Sequence, residues 1–177
     1  ELLGNFSRAY GAKVMAFPVP AFFDYATTRA ALWRERSISA VREAGRNADL
    51  AIFGVGAFSA PLASHVYASG YLGNEDVMRL RREGVVGDVC TVLVRSDGSY
   101  SDIEINSRAS GPTPEELQKI PRRLCVVAGP AKATALIGVL RSGAVTDLVV
   151  DDECAQRVLE ESERPWRGRP SGAGISQ

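Results

Sequence analysis

The chain of 177 residues carries 21 Lys plus Arg against 21 Asp plus Glu, so it lacks the basic excess of a domain that grips nucleic acid through its phosphates. With 45% hydrophobic and 24% charged residues it reads as one ordinary globular domain; Cys90, Cys125 and Cys154 are odd in number and form no CxxC pair, which argues against a disulfide framework or a zinc site. No apolar run reaches the roughly 20 residues of a membrane span and no signal peptide is read, so a cytoplasmic protein with buried thiols is expected.

The chain begins with Glu1 instead of Met, as expected of a segment of a longer gene product. Glu1 to Tyr10 has Leu2, Leu3 and Phe6 on one side and Gly11 after it, the pattern of a helix end. Lys13 to Phe17 is expected as a strand broken by Pro18 and Pro20. Thr27 or Thr28 then caps a helix through Trp33, and Ser37 starts another through Arg46 with Ile38, Val41 and Ala44 on its apolar face. Leu50 to Phe53 reads as a strand that ends in Gly54-Val55-Gly56, expected as a tight turn at a crevice, with Gly56 a candidate ligand position. A lone G-x-G is weak evidence for a nucleotide, and position 59 is Ser where a dinucleotide fingerprint has its third glycine.

Ser59 to Ser69 and Asn74 to Arg82 are expected as helices. The single histidine, His65, has no partner at metal or triad spacing and is assigned no chemistry. Val85 to Val94 is expected as a strand turned by Ser96-Asp97-Gly98 into a second strand over Asp102 to Arg108. Pro112 to Gln118 is a short capped helix, and residues 162–177, rich in Gly and Pro, are expected as a flexible tail to a domain over 1–161.

The organising stretch runs from Pro121 to Asp152. Leu124 to Ala128 is a buried strand that stops at Gly129-Pro130, Ala131 to Arg141 has helical apolar spacing, Gly143 ends it, and Asp147 to Val150 returns as a strand. A right-handed βαβ crossover makes the two strands parallel and brings both of their ends to one edge. There Lys132 adds a cation to the free N–H groups of a helix start, beside the carboxylate of Asp151, the pairing that a phosphorylated polyol requires. The fold expected is α/β, a three-layer Rossmann-like domain with a mostly parallel sheet and an antiparallel hairpin over Val85 to Arg108.

The stretch AGPAKATALIGVLRSGAVTDLVVDDECAQRVL, preceded in order by GVVGDV, SDG and NSRASGPTPEEL, resembles the effector-binding domain of the SorC family of bacterial sugar-responsive transcription regulators. The resemblance covers about Asn5 to Leu159. It implies a phosphorylated-sugar effector, Asp88 on its hydroxyls, Arg108 on a charged group, and Lys132, Gly129 and Asp151 at the strand ends. It also implies a homo-oligomer, with operator DNA contacted through an N-terminal helix-turn-helix domain missing from this chain, and with no enzyme activity, cofactor or metal. The first strand of the effector domain and its Gly/Thr-rich phosphate loop are not visible in the sequence either. The alternative is an enzyme on the related sugar-phosphate isomerase and deaminase scaffold, with Asp88, Asp151 and Lys132 as acid/base groups. It is weakened because no histidine lies near them in sequence.

Overall fold

The computed structural model describes residues 2–58 and 70–162. The helix expected from Ser59 to Ser69, with His65 on it, and the tail from 163 onward lie outside the described residues. Three helices come first: α1 (Leu2–Tyr10), α2 (Ala26–Leu32) and α3 (Arg36–Arg46). Between α1 and α2 the strand expected over Lys13 to Phe17 does not form. A strand exists only as a hydrogen-bonded pair, and this segment has no ladder partner among the described residues, leaving Val14 and Met15 exposed.

The remaining elements are β1 (Leu50–Phe53), β2 (Val55–Ala57), α4 (Asn74–Arg82), β3 (Val85–Val89), β4 (Val92–Arg95), α5 (Pro114–Leu117), β5 (Arg122–Val127), α6 (Ala133–Arg141), β6 (Asp147–Val150) and α7 (Asp152–Ser162). Two 3-10 turns, Glu104–Arg108 and Pro130–Lys132, precede α5 and α6. The strands form a parallel sheet in the order β1-β5-β6 and an antiparallel sheet in the order β2-β3-β4. The expected βαβ unit is present: β5 and β6 are neighbours in parallel register from Leu124 opposite Asp147 to Val127 opposite Val150. The Gly54-Val55-Gly56 stretch is not a tight turn; the chain leaves the parallel sheet at Gly54 and runs on as β2 in the antiparallel one.

The hairpin also differs from expectation. The run from Val85 to Arg95 folds back on itself at Cys90-Thr91, and the segment expected as its second strand is the 3-10 turn. Asn106 explains the substitution. Its side-chain oxygen accepts from the Leu93 N–H at 2.8 Å and its amide donates to the Leu93 carbonyl at 2.9 Å, so one side chain takes the backbone groups that a neighbouring strand would have used.

One core joins the two sheets through α6, where Ala133, Ala135, Leu136 and Val139 are buried with Val89, Val94, Cys125 and Val127. Alternate residues of a strand share a face, so Ile52, Leu124, Val126 and Val149 lie together on the other side of the parallel sheet. That side is open among the described residues: Ile52 is 57%, Val126 46% and Val149 55% exposed. No helix among the described residues is long and apolar enough to cross a membrane.

Candidate functional site

The site is built where β5 and β6 end. Gly129 follows β5 with φ 96°, a conformation that a side chain resists, and its N–H donates to Asp151 Oδ2 at 2.7 Å. The other carboxylate oxygen, Oδ1, accepts from the Cys154 N–H at 2.8 Å at the start of α7. Asp151 therefore ties the two strand ends together and caps a helix, a structural role that occupies both of its oxygens. Beyond Gly129, the 3-10 turn carries Lys132 to the residue just before α6. Lys132 is half-buried, and among the described residues its ammonium has no ion-pair partner.

Asp88 reaches the same region from the antiparallel sheet. It stands opposite Gly56 across β2 and β3, and β2 touches the turn that holds Lys132. Its neighbour Gly87 fixes this placement, because a Cβ there would collide with the Gly56 carbonyl oxygen and lie 2.6 Å from Ala135 Cβ. Only glycine lets β3 lie this close to β2 and α6 together. Asp88 is 5% exposed, and its Oδ2 accepts from the Thr91 N–H at 3.3 Å.

The thiols near these charges are held protonated. Burial pushes Cys125 up to about 11 against the pull of the Lys132 charge, and burial, Asp88 and Cys125 together push Cys90 up to about 12. Cys154 is raised by burial and by Asp151, with Lys132 opposing. The two buried thiols, Cys125 and Cys154, and the half-buried Cys90 are thus protonated at neutral pH and unsuited to nucleophilic work.

Of the six residues expected at the site, Gly129, Lys132 and Asp151 lie together at the strand ends, and Gly56 and Asp88 stand opposite each other on β2 and β3, of which β2 touches the turn that holds Lys132. Arg108 is engaged elsewhere. Its Nη1 donates to the Phe23 carbonyl at 3.2 Å, and its own carbonyl accepts from the Phe23 N–H at 2.9 Å. It pins the segment after Pro18-Val19-Pro20, where Phe22 bridges to Ala109.

Sequence reasoning missed Thr91 and Gly111. Cys90 and Thr91 have φ of 49° and 72°, the left-handed pair that a two-residue hairpin demands, although neither is Gly or Asn. The turn is held by Asp88 and by the Gly111 N–H, which donates to Thr91 Oγ1 at 3.0 Å. The short distance between two apolar runs is the available signal; the residue types hide it.

The family model Sugar-bind, "Putative sugar-binding domain", matches residues 1–160. The transcriptional regulator LsrR of Klebsiella pneumoniae is 30% identical over 147 residues, which is 82% of this chain and 46% of that protein. A deoxyribonucleoside regulator of Bacillus subtilis is 25% identical over 161 residues, 91% of this chain and 50% of its own. Among solved structures, a domain of a possible sugar-binding transcriptional regulator from Arthrobacter aurescens TC1 is 46% identical with a TM-score of 0.80, over 89% of this chain and 60% of that one. The chain spans about half the length of the curated relatives it matches. It belongs to the putative sugar-binding domain family.

Proposed function

We propose that this domain binds a phosphorylated sugar at the edge formed by Gly129, Lys132 and Asp88, and that binding is relayed to a DNA-binding domain of the same regulator and to contacts between copies. The observation that carries the reading is Lys132: a half-buried ammonium beside a helix start, with no ion-pair partner among the described residues. A phosphate would give this cation a counter-charge while also receiving backbone N–H groups. Asp88 supplies an acceptor for hydroxyls across the crevice. Asp151 supports the edge from behind through Gly129.

The domain acts as a sensor and not as an isomerase or deaminase. Three of the groups an enzyme on this scaffold would use are Asp88, Asp151 and Lys132, and Asp151 is committed to Gly129 and Cys154. The curated relatives named above are regulators. A thermal-shift screen of pentose, hexose and polyol phosphates beside their unphosphorylated counterparts tests the reading, because a ligand that binds only the folded state raises the melting temperature. A phosphorylated sugar that stabilises the protein, without being consumed, is the expected result. Stabilisation by the unphosphorylated sugars alone would remove the phosphate from the reading, and steady turnover of the bound compound would make the domain an enzyme.

A further inference from the structure

A cavity of about 230 Å³ lies between α3 and the segment leading into β5, and none of Lys132, Asp88, Gly129, Asp151 or Gly56 lines it. Its walls include Phe17, Trp33, Val41 and Ile120, and Arg42 and Arg46, one turn apart on α3, border it. Trp33 is fixed on its aromatic side by Phe23, edge-on at 5.4 Å, and by Phe17 at 5.8 Å. The Arg42 guanidinium lies 4.8 Å from the Trp33 ring centre.

Arg42 is poorly compensated. Its ion pair is with Glu116 Oε1 at 3.5 Å, the long end of such contacts, while Glu116 Oε2 is engaged by the Thr113 N–H at 3.0 Å in the cap of α5. Burial lowers the Arg42 pKa, Arg46 lowers it further, and Glu116 raises it. Arg42 thus shares one carboxylate with the cap of α5 and lies near a second arginine, Arg46. A guanidinium presents a planar fork of donors that matches a carboxylate in two parallel hydrogen bonds, and most of that fork is unused here.

We propose that this cavity is a second ligand site, which takes a small aryl carboxylate with its ring against Trp33, Phe17 and Ile120 and its carboxylate on Arg42. The volume is below the roughly 300–1,000 Å³ of drug-sized sites, which limits the occupant to about one ring and a short acidic arm. The apolar walls offer few partners for the hydroxyls of a sugar, so this site differs in chemistry from the edge at Lys132 and does not depend on it.

Phenylacetate is the probe, and Trp33 the reporter once Trp166, the other tryptophan, is replaced (W166F). The expected result is a saturable change in Trp33 fluorescence, at least ten-fold weaker with the neutral isostere phenylacetamide, and at least ten-fold weaker in Arg42→Met with circular dichroism unchanged. Equal binding of phenylacetate and phenylacetamide would overturn the proposal by showing an apolar groove without charge selection. So would undiminished binding by Arg42→Met, or no saturable change up to the solubility limit, which would leave the cavity as a packing void.

Discussion

The two sheets of this domain achieve order by different means. The β5-α6-β6 unit is assembled from short-range rules: an apolar strand, a Gly-Pro stop, an amphipathic helix, a glycine and a second strand, with Asp151 closing the edge by two hydrogen bonds. The antiparallel sheet relies on close approach between segments far apart in sequence, at places where nothing larger than a hydrogen atom fits. Gly87 sits against Gly56 and Ala135, and a Cβ on Gly111 would overlap the Cys90 carbonyl oxygen. Lys132 stands on the first framework and Asp88 on the second, so their relative placement is only as well defined as the packing of one sheet on the other.

The largest expected effect breaks the second framework. Gly111→Ala and Gly87→Ala each push a methyl into backbone atoms that cannot give way, and each should destabilise the domain by about 3 kcal/mol or more, read as loss of the cooperative urea transition or a collapsed midpoint. Gly129→Ala is the contrast: its Cβ would meet nothing within 4 Å, and only the backbone conformation, φ 96° and ψ 131°, opposes it, at about 1–3 kcal/mol. Equal costs at Gly111 and Gly129 would contradict the distinction between the two halves.

Asp151→Ala falls between them in kind, because it removes a hydrogen bond to Gly129 and the cap of α7 without adding any atom. A loss of about 2 kcal/mol is expected, with the remaining structure intact. If stability is unchanged, the strand ends are held by something other than this carboxylate.

The parts legible in the sequence are those where periodicity and punctuation coincide. The parallel pair of β5 and β6 and its crossover helix are of this kind, and so are α3, α4 and the Thr113-capped α5. The failures share a different cause. Lys13 to Phe17 has the composition of a strand, yet strand formation depends on a partner that local sequence does not contain. The hairpin is illegible because Cys-Thr carries no turn signal and because Asn106, which looks like one polar position in an alternating strand, instead binds both backbone groups of Leu93. At the site, Lys132, Gly129 and Asp151 follow from the βαβ geometry. The structural roles of Asp151 and Arg108 depend on contacts spanning 22 and 85 residues, which no local pattern specifies.

The thiol cluster between the frameworks gives a smaller effect with a definite sign. Cys125 and Cys90, pushed up to about 11 and about 12, hold their protons more tightly in the fold than in the unfolded chain, where a thiol titrates at about 8.5. Their contribution is fully present below about pH 8.5 and is lost as the pH rises toward the folded values. Urea midpoints should therefore fall between about pH 8.5 and 10.5, and fall less in the Cys90→Ala, Cys125→Ala double variant. A midpoint that rises over this interval would contradict the assignment.

The smallest expected effect on stability belongs to Lys132, whose ammonium makes no ion pair to lose among the described residues. Its effect on binding is the central matter. The most direct measurement is calorimetric titration of the wild-type protein and Lys132→Met with a phosphorylated sugar selected by the stability screen and with its unphosphorylated counterpart. The account predicts that Lys132→Met weakens the phosphorylated sugar roughly ten- to a hundred-fold, the equivalent of one charge-assisted hydrogen bond, and leaves the unphosphorylated one within about two-fold. Equal affinity of wild type and Lys132→Met for the phosphorylated sugar, with the fold intact, would contradict it.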